Sequence, residues 1–244
     1  MPHFYVDPKD IKDKNFTIEN EQFHYLSNVR RFSVGDEINI FDGLGNSYKA
    51  RIDIIDKKSM KGTIISSKTL VLPNKKISLY TAIPKGERFD WLIEKASEIG
   101  ISKIIPVIYV RSVVKELSEN KTERYKKISI SASSQSWRAD IMSIGHPVKF
   151  NETVEKTSAQ KDTLNILPWE SEDNKNILNV LNENKYIKNI NIFIGPEGGF
   201  DKTEIDIALK NDFKTVTLGK NILRVETAAI VASSIITAVE GLNG

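Results

Sequence analysis

Ile192-Phe193-Ile194-Gly195-Pro196-Glu197-Gly198-Gly199-Phe200 is the stretch on which the fold turns. A β-branched and aromatic run stops at a glycine-proline pair, and Asp201-Lys202-Thr203-Glu204 follows the last glycines. Asp201 and Glu204 stand at capping-box spacing, so the pattern predicts a buried strand, a tight loop and a helix. In an open α/β sheet ligands bind beyond the carboxyl ends of strands, where glycine lets a backbone approach closely. The plain alternative is a tight connection that needs positive φ. The dinucleotide fingerprint G-x-G-x-x-G is absent.

The same arrangement recurs downstream. Val216-Thr217-Leu218-Gly219 ends a strand, and Asn221-Ile222-Leu223-Arg224-Val225-Glu226-Thr227 enters a long apolar helix. An arginine at the positive end of a helix dipole is mildly unfavourable, which points to an anionic partner for Arg224. The alternative is a solvated pair with Glu226. Upstream, Ile77–Ile83 reads as a strand, followed by Lys85-Gly86-Glu87-Arg88 and a helix over Phe89–Ile99 that Gly100 stops. Ile104–Val110 is a buried strand, with others near Leu164–Leu167, Ile190–Ile194 and Thr215–Leu218. Alternation of strand and helix predicts a mostly parallel sheet covered by helices.

The first seventy or so residues read differently. Ile38–Phe41 and Tyr48–Ile52 flank Asp42-Gly43-Leu44-Gly45-Asn46, which is a hairpin signature. Gly62–Ile65 adds another strand, and several short strands favour a small barrel. Leu72-Pro73-Asn74-Lys75-Lys76 is the expected linker, dividing the chain into domains 1–72 and 73–244.

Composition excludes several classes. The 244 residues contain no cysteine, which rules out disulfides, thiolate metal sites and a cysteine nucleophile. The three histidines, His3, His24 and His146, are isolated, so no metal is expected. No apolar run approaches a membrane span and the first residues lack a secretory pattern, so a cytoplasmic protein is expected. The net charge of +3 permits a nucleic-acid partner without requiring one.

Gly195–Gly199 and Leu218–Ala228, in this order, resemble the two signature loops of the bacterial 16S rRNA (uracil-N3) methyltransferases, a family of the SPOUT class. Lys85–Arg88, Glu94–Gly100 and Pro106–Val113 resemble its first βαβ unit. Val29-Arg30-Arg31, Gly35-Asp36 and Phe41-Asp42-Gly43 resemble its N-terminal domain. The resemblance implies a small N-terminal PUA-like β-barrel followed by a SPOUT α/β domain with a C-terminal trefoil knot. It also implies a homodimer, S-adenosyl-L-methionine as cofactor, and 16S rRNA or the small ribosomal subunit as partner.

Carried over by motif, the cofactor would be held by Leu167, Pro168, Ile194, Gly195, Pro196, Glu197, Gly198, Gly199, Leu218, Gly219, Ile222, Leu223 and Arg224. Arg30, Arg31, Lys85, Arg88, Arg111 and Arg138 would face RNA. Arg138 or Arg224 would stabilise the uracil anion, with Glu197 orienting groups or accepting the proton. The sequence departs from the family pattern where Ser134, Ala139 and Met142 replace Glu, Asn and Pro, and where Val225 replaces Thr. These departures bear on which nucleotide is modified. The rival readings are a SPOUT enzyme for another rRNA or tRNA site and a non-catalytic RNA-binding module.

Overall fold

The computed structural model of the chain describes residues 3–70 and 75–242. It separates into two compact units, Met1–Leu72 with Ile130–Ile141, and Pro73–Ser129 with Met142–Gly244. Of the expected linker, Leu72, Pro73 and Asn74 lie outside the described residues.

The first unit carries β1 (His3–Tyr5), β2 (Ile11–Lys12), β3 (Asn15–Glu19), the short α1 (Asn20–His24), β4 (Glu37–Phe41), β5 (Asn46–Ile55) and β6 (Ser59–Thr69). They form one sheet in the order β1-β4-β5-β6-β3-β2. Only the β1–β4 pairing is parallel. Register shifts in β5 between Lys49 and Ala50 and between Ile52 and Ile54 bend the sheet. Among the described residues its edges β1 and β2 do not pair, which leaves an open, curled half-barrel. Phe16, Ile18, Ile38, Ile40, Ile52 and Met60 fill the concave side.

The β4–β5 hairpin forms where the Asp-Gly signal stands. The Asp42 carboxylate accepts the backbone N–H groups of Leu44 at 2.8 Å and Asn46 at 3.1 Å. A buried aspartate thereby supplies the acceptors that the turn's backbone lacks.

The second unit begins with β7 (Lys76–Thr81), α2 (Arg88–Ile99), β8 (Lys103–Ile108) and the first part of α3 (Glu119–Ser136), whose residues from Ile130 onward belong to the first unit. It continues through β9 (Ser143–Ile144), β10 (Val148–Lys149), α4 (Phe150–Ser158), β11 (Thr163–Pro168) and α5 (Ile177–Glu183). The chain then runs through β12 (Asn189–Ile194), α6 (Lys202–Lys210), β13 (Lys214–Val216) and α7 (Val225–Leu242). The sheet order is β10-β8-β7-β12-β11-β13, with β9 also on β8, and every pairing is parallel.

Both faces of this sheet are covered, so its central strands are mostly apolar along their length. The two buried asparagines on β11 and β12 satisfy each other, Asn191 donating to Asn165 Oδ1 at 2.9 Å. On one face Leu92, Ile93 and Ala96 of α2 and Ala229, Ala232 and Ile236 of α7 pack with Leu79, Ile104 and Ile192. On the other, Phe150 and Val154 of α4 and Ile205 and Ala208 of α6 pack with Val107 and Phe193. Gly100 ends α2 in the left-handed conformation, φ 107°, as its position after the last apolar residue predicts.

Candidate functional site

A cleft of about 460 Å³ opens beyond the carboxyl ends of β11, β12 and β13. That is where an open parallel sheet binds ligands, and the volume falls within the usual range for small-molecule sites. Its walls are Pro168–Glu170 at the end of β11, Ile194–Phe200 at the end of β12, and Thr217–Gly219, Asn221–Val225 and Ala228 around the start of α7. Every residue expected to hold the cofactor lies on these walls except Leu167. Leu167 is buried beneath them among Ala82, Phe193 and Phe213.

The loop after β12 has its shape for identifiable reasons. Gly199 N–H donates to the Pro196 carbonyl at 2.9 Å, closing a tight turn. Gly199 has φ 70°, and a Cβ there would lie 2.6 Å from Glu170 Oε1. A Cβ on Gly195 would press on the Phe200 ring at 3.0 Å. Side chains are thus excluded at both ends of the turn, by conformation at one and by space at the other.

The capping box forms as its spacing predicts. Asp201 Oδ1 accepts the Thr203 N–H at 3.1 Å, and Glu204 Oε2 accepts the Asp201 N–H at 2.9 Å. Glu204 also accepts the Val110 N–H at 2.8 Å through Oε1, so one buried carboxylate ties α6 to the loop after β8. Asp201 is held below the usual aspartate range by the backbone and hydroxyl of Thr203, with Arg111 adding to them. Under this loop the Tyr109 phenol is fully enclosed, and burial, then the Glu204 charge, push it well above its ordinary value.

The expected catalytic and RNA-facing residues separate into distinct environments. Glu197 and Arg224 both line the cleft, and the exposed Arg224 side chain has no ion pair among the described residues. Arg138 belongs to the first unit, where Nε meets Asp140 Oδ1 at 3.1 Å and Nη2 meets Oδ2 at 2.6 Å, a bidentate pair with the arginine largely buried. Arg30 donates to the Tyr25 hydroxyl at 3.2 Å and its guanidinium stands over that ring. Arg31 and Lys85 are exposed. Arg88 stands between Glu197 and Glu226, and Arg111 bonds Gly198 and Asp201. Trp169, Glu170 and Thr217 also line the cleft and were not anticipated. Trp169 and Glu170 directly follow the end of β11, so extending the rule that ligands bind beyond the carboxyl ends of strands past Pro168 reaches them. Among the described residues no group of His, Asp and Glu side chains could hold a metal ion.

The two units each match a known family of RNA methyltransferase domains. Residues 72–237 match the family described as RNA methyltransferase domain, and residues 18–65 match the RNA methyltransferase PUA domain. Within that class, the chain is 32% identical to the ribosomal RNA small subunit methyltransferase E of Synechocystis sp., over 96% of this chain and 76% of that protein. Its identity to the Aquifex aeolicus protein of the same name is 30%, over 89% of this chain and 91% of the relative. The crystal structure of a ribosomal RNA small subunit methyltransferase E from Neisseria gonorrhoeae bound to S-adenosyl methionine matches with TM-score 0.87 and 27% identity, covering 98% of each chain. The chain belongs to the ribosomal RNA small subunit methyltransferase E family.

Proposed function

We propose that the protein transfers a methyl group from S-adenosyl-L-methionine to N3 of a uridine in 16S rRNA, free or within the small ribosomal subunit. The observation that carries this reading is the cleft beyond β11–β13, because its chemistry suits that cofactor. Glycine backbone and the aliphatic side chains of Leu218, Ile222 and Leu223 offer amides, carbonyls and apolar surface to adenine and ribose. Glu170 and Glu197 add carboxylates to the walls, which favours a cationic ligand. S-adenosylmethionine supplies a methyl group on a positively charged sulfonium, and no metal is required for its transfer.

The protein's own groups act on the base. N3 of uracil must shed its proton before it gains the methyl group, and pairing would occupy that position, so the uridine is unpaired or flipped out. Arg224 stabilises the charge that develops on the uracil oxygens, since its guanidinium stands at the cleft without a carboxylate partner. Glu197 orients the base or takes the N3 proton. We give the catalytic role to Arg224 in preference to Arg138, whose charge is already matched by Asp140.

We extend the proposal to the rest of the architecture. Residues 1–72 form the RNA-binding domain and 73–244 the methyl-transferring one. A C-terminal trefoil knot is part of the same proposal, as the SPOUT resemblance implies. Exposed Trp91 on α2 and Ile222 beside the cleft support a homodimer, to be read by light scattering. Among the described residues no helix is long and apolar enough to cross a membrane, and we place the reaction in the cytoplasm with the ribosome.

The deciding experiment maps methylated nucleosides in 16S rRNA from cells with and without the gene. Loss of one N3-methyluridine in the deletion strain is expected, and its retention would refute the assignment. Calorimetry with S-adenosylmethionine should show binding; silence there would favour an RNA-binding module.

A further inference from the structure

Two arginines expected to face RNA are turned onto the glycine loop instead. Arg111, in the loop after β8, donates from Nη1 to the Gly198 carbonyl at 3.0 Å and from Nη2 to Asp201 Oδ2 at 3.2 Å. A Cβ on Gly198 would lie 3.4 Å from the Arg111 Cβ, so the stem of the arginine also packs along the loop. Arg88, at the first position of α2, holds the other flank. Its Nη1 is 3.9 Å from Glu197 Oε1, and its Nε is 3.8 Å from Glu226 Oε1. Glu226 is buried in the first turn of α7, and its second oxygen has no hydrogen-bond partner in the structure. Arg88 therefore stands between a carboxylate of each cofactor loop.

These contacts answer a problem that the loop's composition creates. Gly195, Gly198 and Gly199 have no side chains with which to fix their own carbonyls, and glycine has the widest conformational freedom of any residue. A cofactor gripped by backbone needs that backbone held to a fraction of an ångström. A guanidinium fork that bonds a loop carbonyl and the helix-capping aspartate together fixes both the loop and the start of α6. A charge already matched in this way contributes little to phosphate attraction.

We propose that Arg111, assisted by Arg88, is a positioning residue that sets the glycine loop for cofactor binding, and that neither is an RNA contact. The inference rests on the methyl-transfer reading above. The Arg111–Asp201 pair is partly exposed, its side chains at 49% and 29%, so its removal changes global stability little and leaves a folded variant to study.

The test compares Arg111→Ala, Arg111→Lys, Arg88→Ala and Asp201→Asn with the wild type in three measurements. These are S-adenosylmethionine affinity by calorimetry, affinity for a 16S rRNA fragment across a salt series, and amide hydrogen exchange over residues 195–201. Arg111→Ala is expected to weaken cofactor binding about tenfold and to speed exchange in the loop. The slope of RNA affinity against salt should stay at the wild-type value. Arg111→Lys should restore little, because one ammonium cannot reproduce the fork. Arg88→Ala should have a smaller effect, since its pairs are longer than hydrogen bonds. Asp201→Asn keeps a capping side chain while removing the charge, so it should reproduce part of the Arg111 defect even if Arg111→Ala folds poorly. Unchanged cofactor affinity, with a salt slope shallower by about 0.9, would make Arg111 an RNA contact and overturn the proposal. A wild-type protein that binds no S-adenosylmethionine would overturn the functional reading itself, which is a different result.

Discussion

Gly199 shows how narrowly single residues define this cleft. An alanine there would meet Glu170 Oε1 at 2.6 Å and would have to hold φ 70°. The backbone strain alone is about 1–2 kcal/mol, and 1.4 kcal/mol is tenfold in affinity. If the partly buried loop relaxes out of φ 70°, that cost falls on binding, so Gly199→Ala should weaken S-adenosylmethionine binding by about tenfold in calorimetry with unfolding nearly unchanged. A loss of about 1–2 kcal/mol in unfolding instead would show that the loop keeps its shape. Arg224 is the contrasting case, because it acts on charge that appears only during reaction. Arg224→Ala should lower kcat about a hundredfold, the usual effect of losing one such donor, and leave cofactor affinity within a few fold. Equal loss of both would remove its catalytic role. His3 tests a third kind of residue. Burial lowers its pKa below 6.5, opposed by the Ile40 backbone carbonyl, which favours the protonated ring. The native ring thus resists a proton that the unfolded chain accepts, so stability is present above about pH 6.5 and declines as pH falls toward the native pKa. Replacing His3 by Phe should flatten that limb of a pH series of urea melts; an unchanged slope would show that His3 does not contribute to it. At this scale the glycines were legible in the sequence because only glycine meets their steric demand. The partners of Arg88 and Arg111 were not, since those carboxylates lie on other elements and no local pattern announces them.

Among the elements, α6 depends most on one side chain. Glu204 is buried and accepts two backbone N–H groups, from Asp201 within the capping box and from Val110 on the loop after β8. Leaving such donors unpaired costs about 1–3 kcal/mol each, with the upper figure for full burial. Glu204→Ala should destabilise the protein by about 2–4 kcal/mol in urea denaturation, and Glu204→Gln by less, since the amide keeps one acceptor. A loss below about 0.5 kcal/mol for the alanine variant would mean that water replaces the carboxylate. The strand β12 and the helix α2 were readable because their apolar runs stop at Gly195 and Gly100, and the start of α6 because its cap spacing stands in the sequence. The helix α3 was not. Its inward positions are Tyr125, Ser129, Ala132 and Ser133, a helical stripe made mostly of small or polar side chains. Ser129 is satisfied by donating to the Met142 carbonyl at 3.0 Å, whereas the buried Ser133 hydroxyl has no hydrogen-bond partner among the described residues, and a buried face built on such residues carries no hydrophobic signal. Trp137 follows the helix at φ 61°, where glycine or asparagine is the usual reader's clue.

For the whole molecule, the question is how a chain with net charge +3 holds a polyanion. Residues 1–70 contain 11 basic and 10 acidic side chains, and residues 71–244 contain 24 and 22, so neither part is basic by composition. The division of the chain into a β-rich part and an α/β part was legible from periodicity, whereas assignment of 130–141 to the first unit depends on contacts far apart in sequence. The same limit applies to charge, because a sum does not tell a matched cation from a free one. Arg88, Arg111 and Arg138 each face a carboxylate within 4 Å, whereas Arg30, Arg31 and Lys85 have no ion pair among the described residues. Phosphate attraction should then come from the unmatched cations, and Arg30 and Arg31 supply two of them side by side. Each phosphate neutralised contributes about 0.7–0.9 to the slope of log affinity against log salt, the lower figure for single strands. Arg30→Ala with Arg31→Ala should reduce that slope by about 1.4–1.8 for a 16S rRNA fragment, while calorimetry with S-adenosylmethionine stays at the wild-type value. A slope that does not change would move the RNA-binding face away from these arginines, and a loss of cofactor affinity would show that the substitutions reach the cleft.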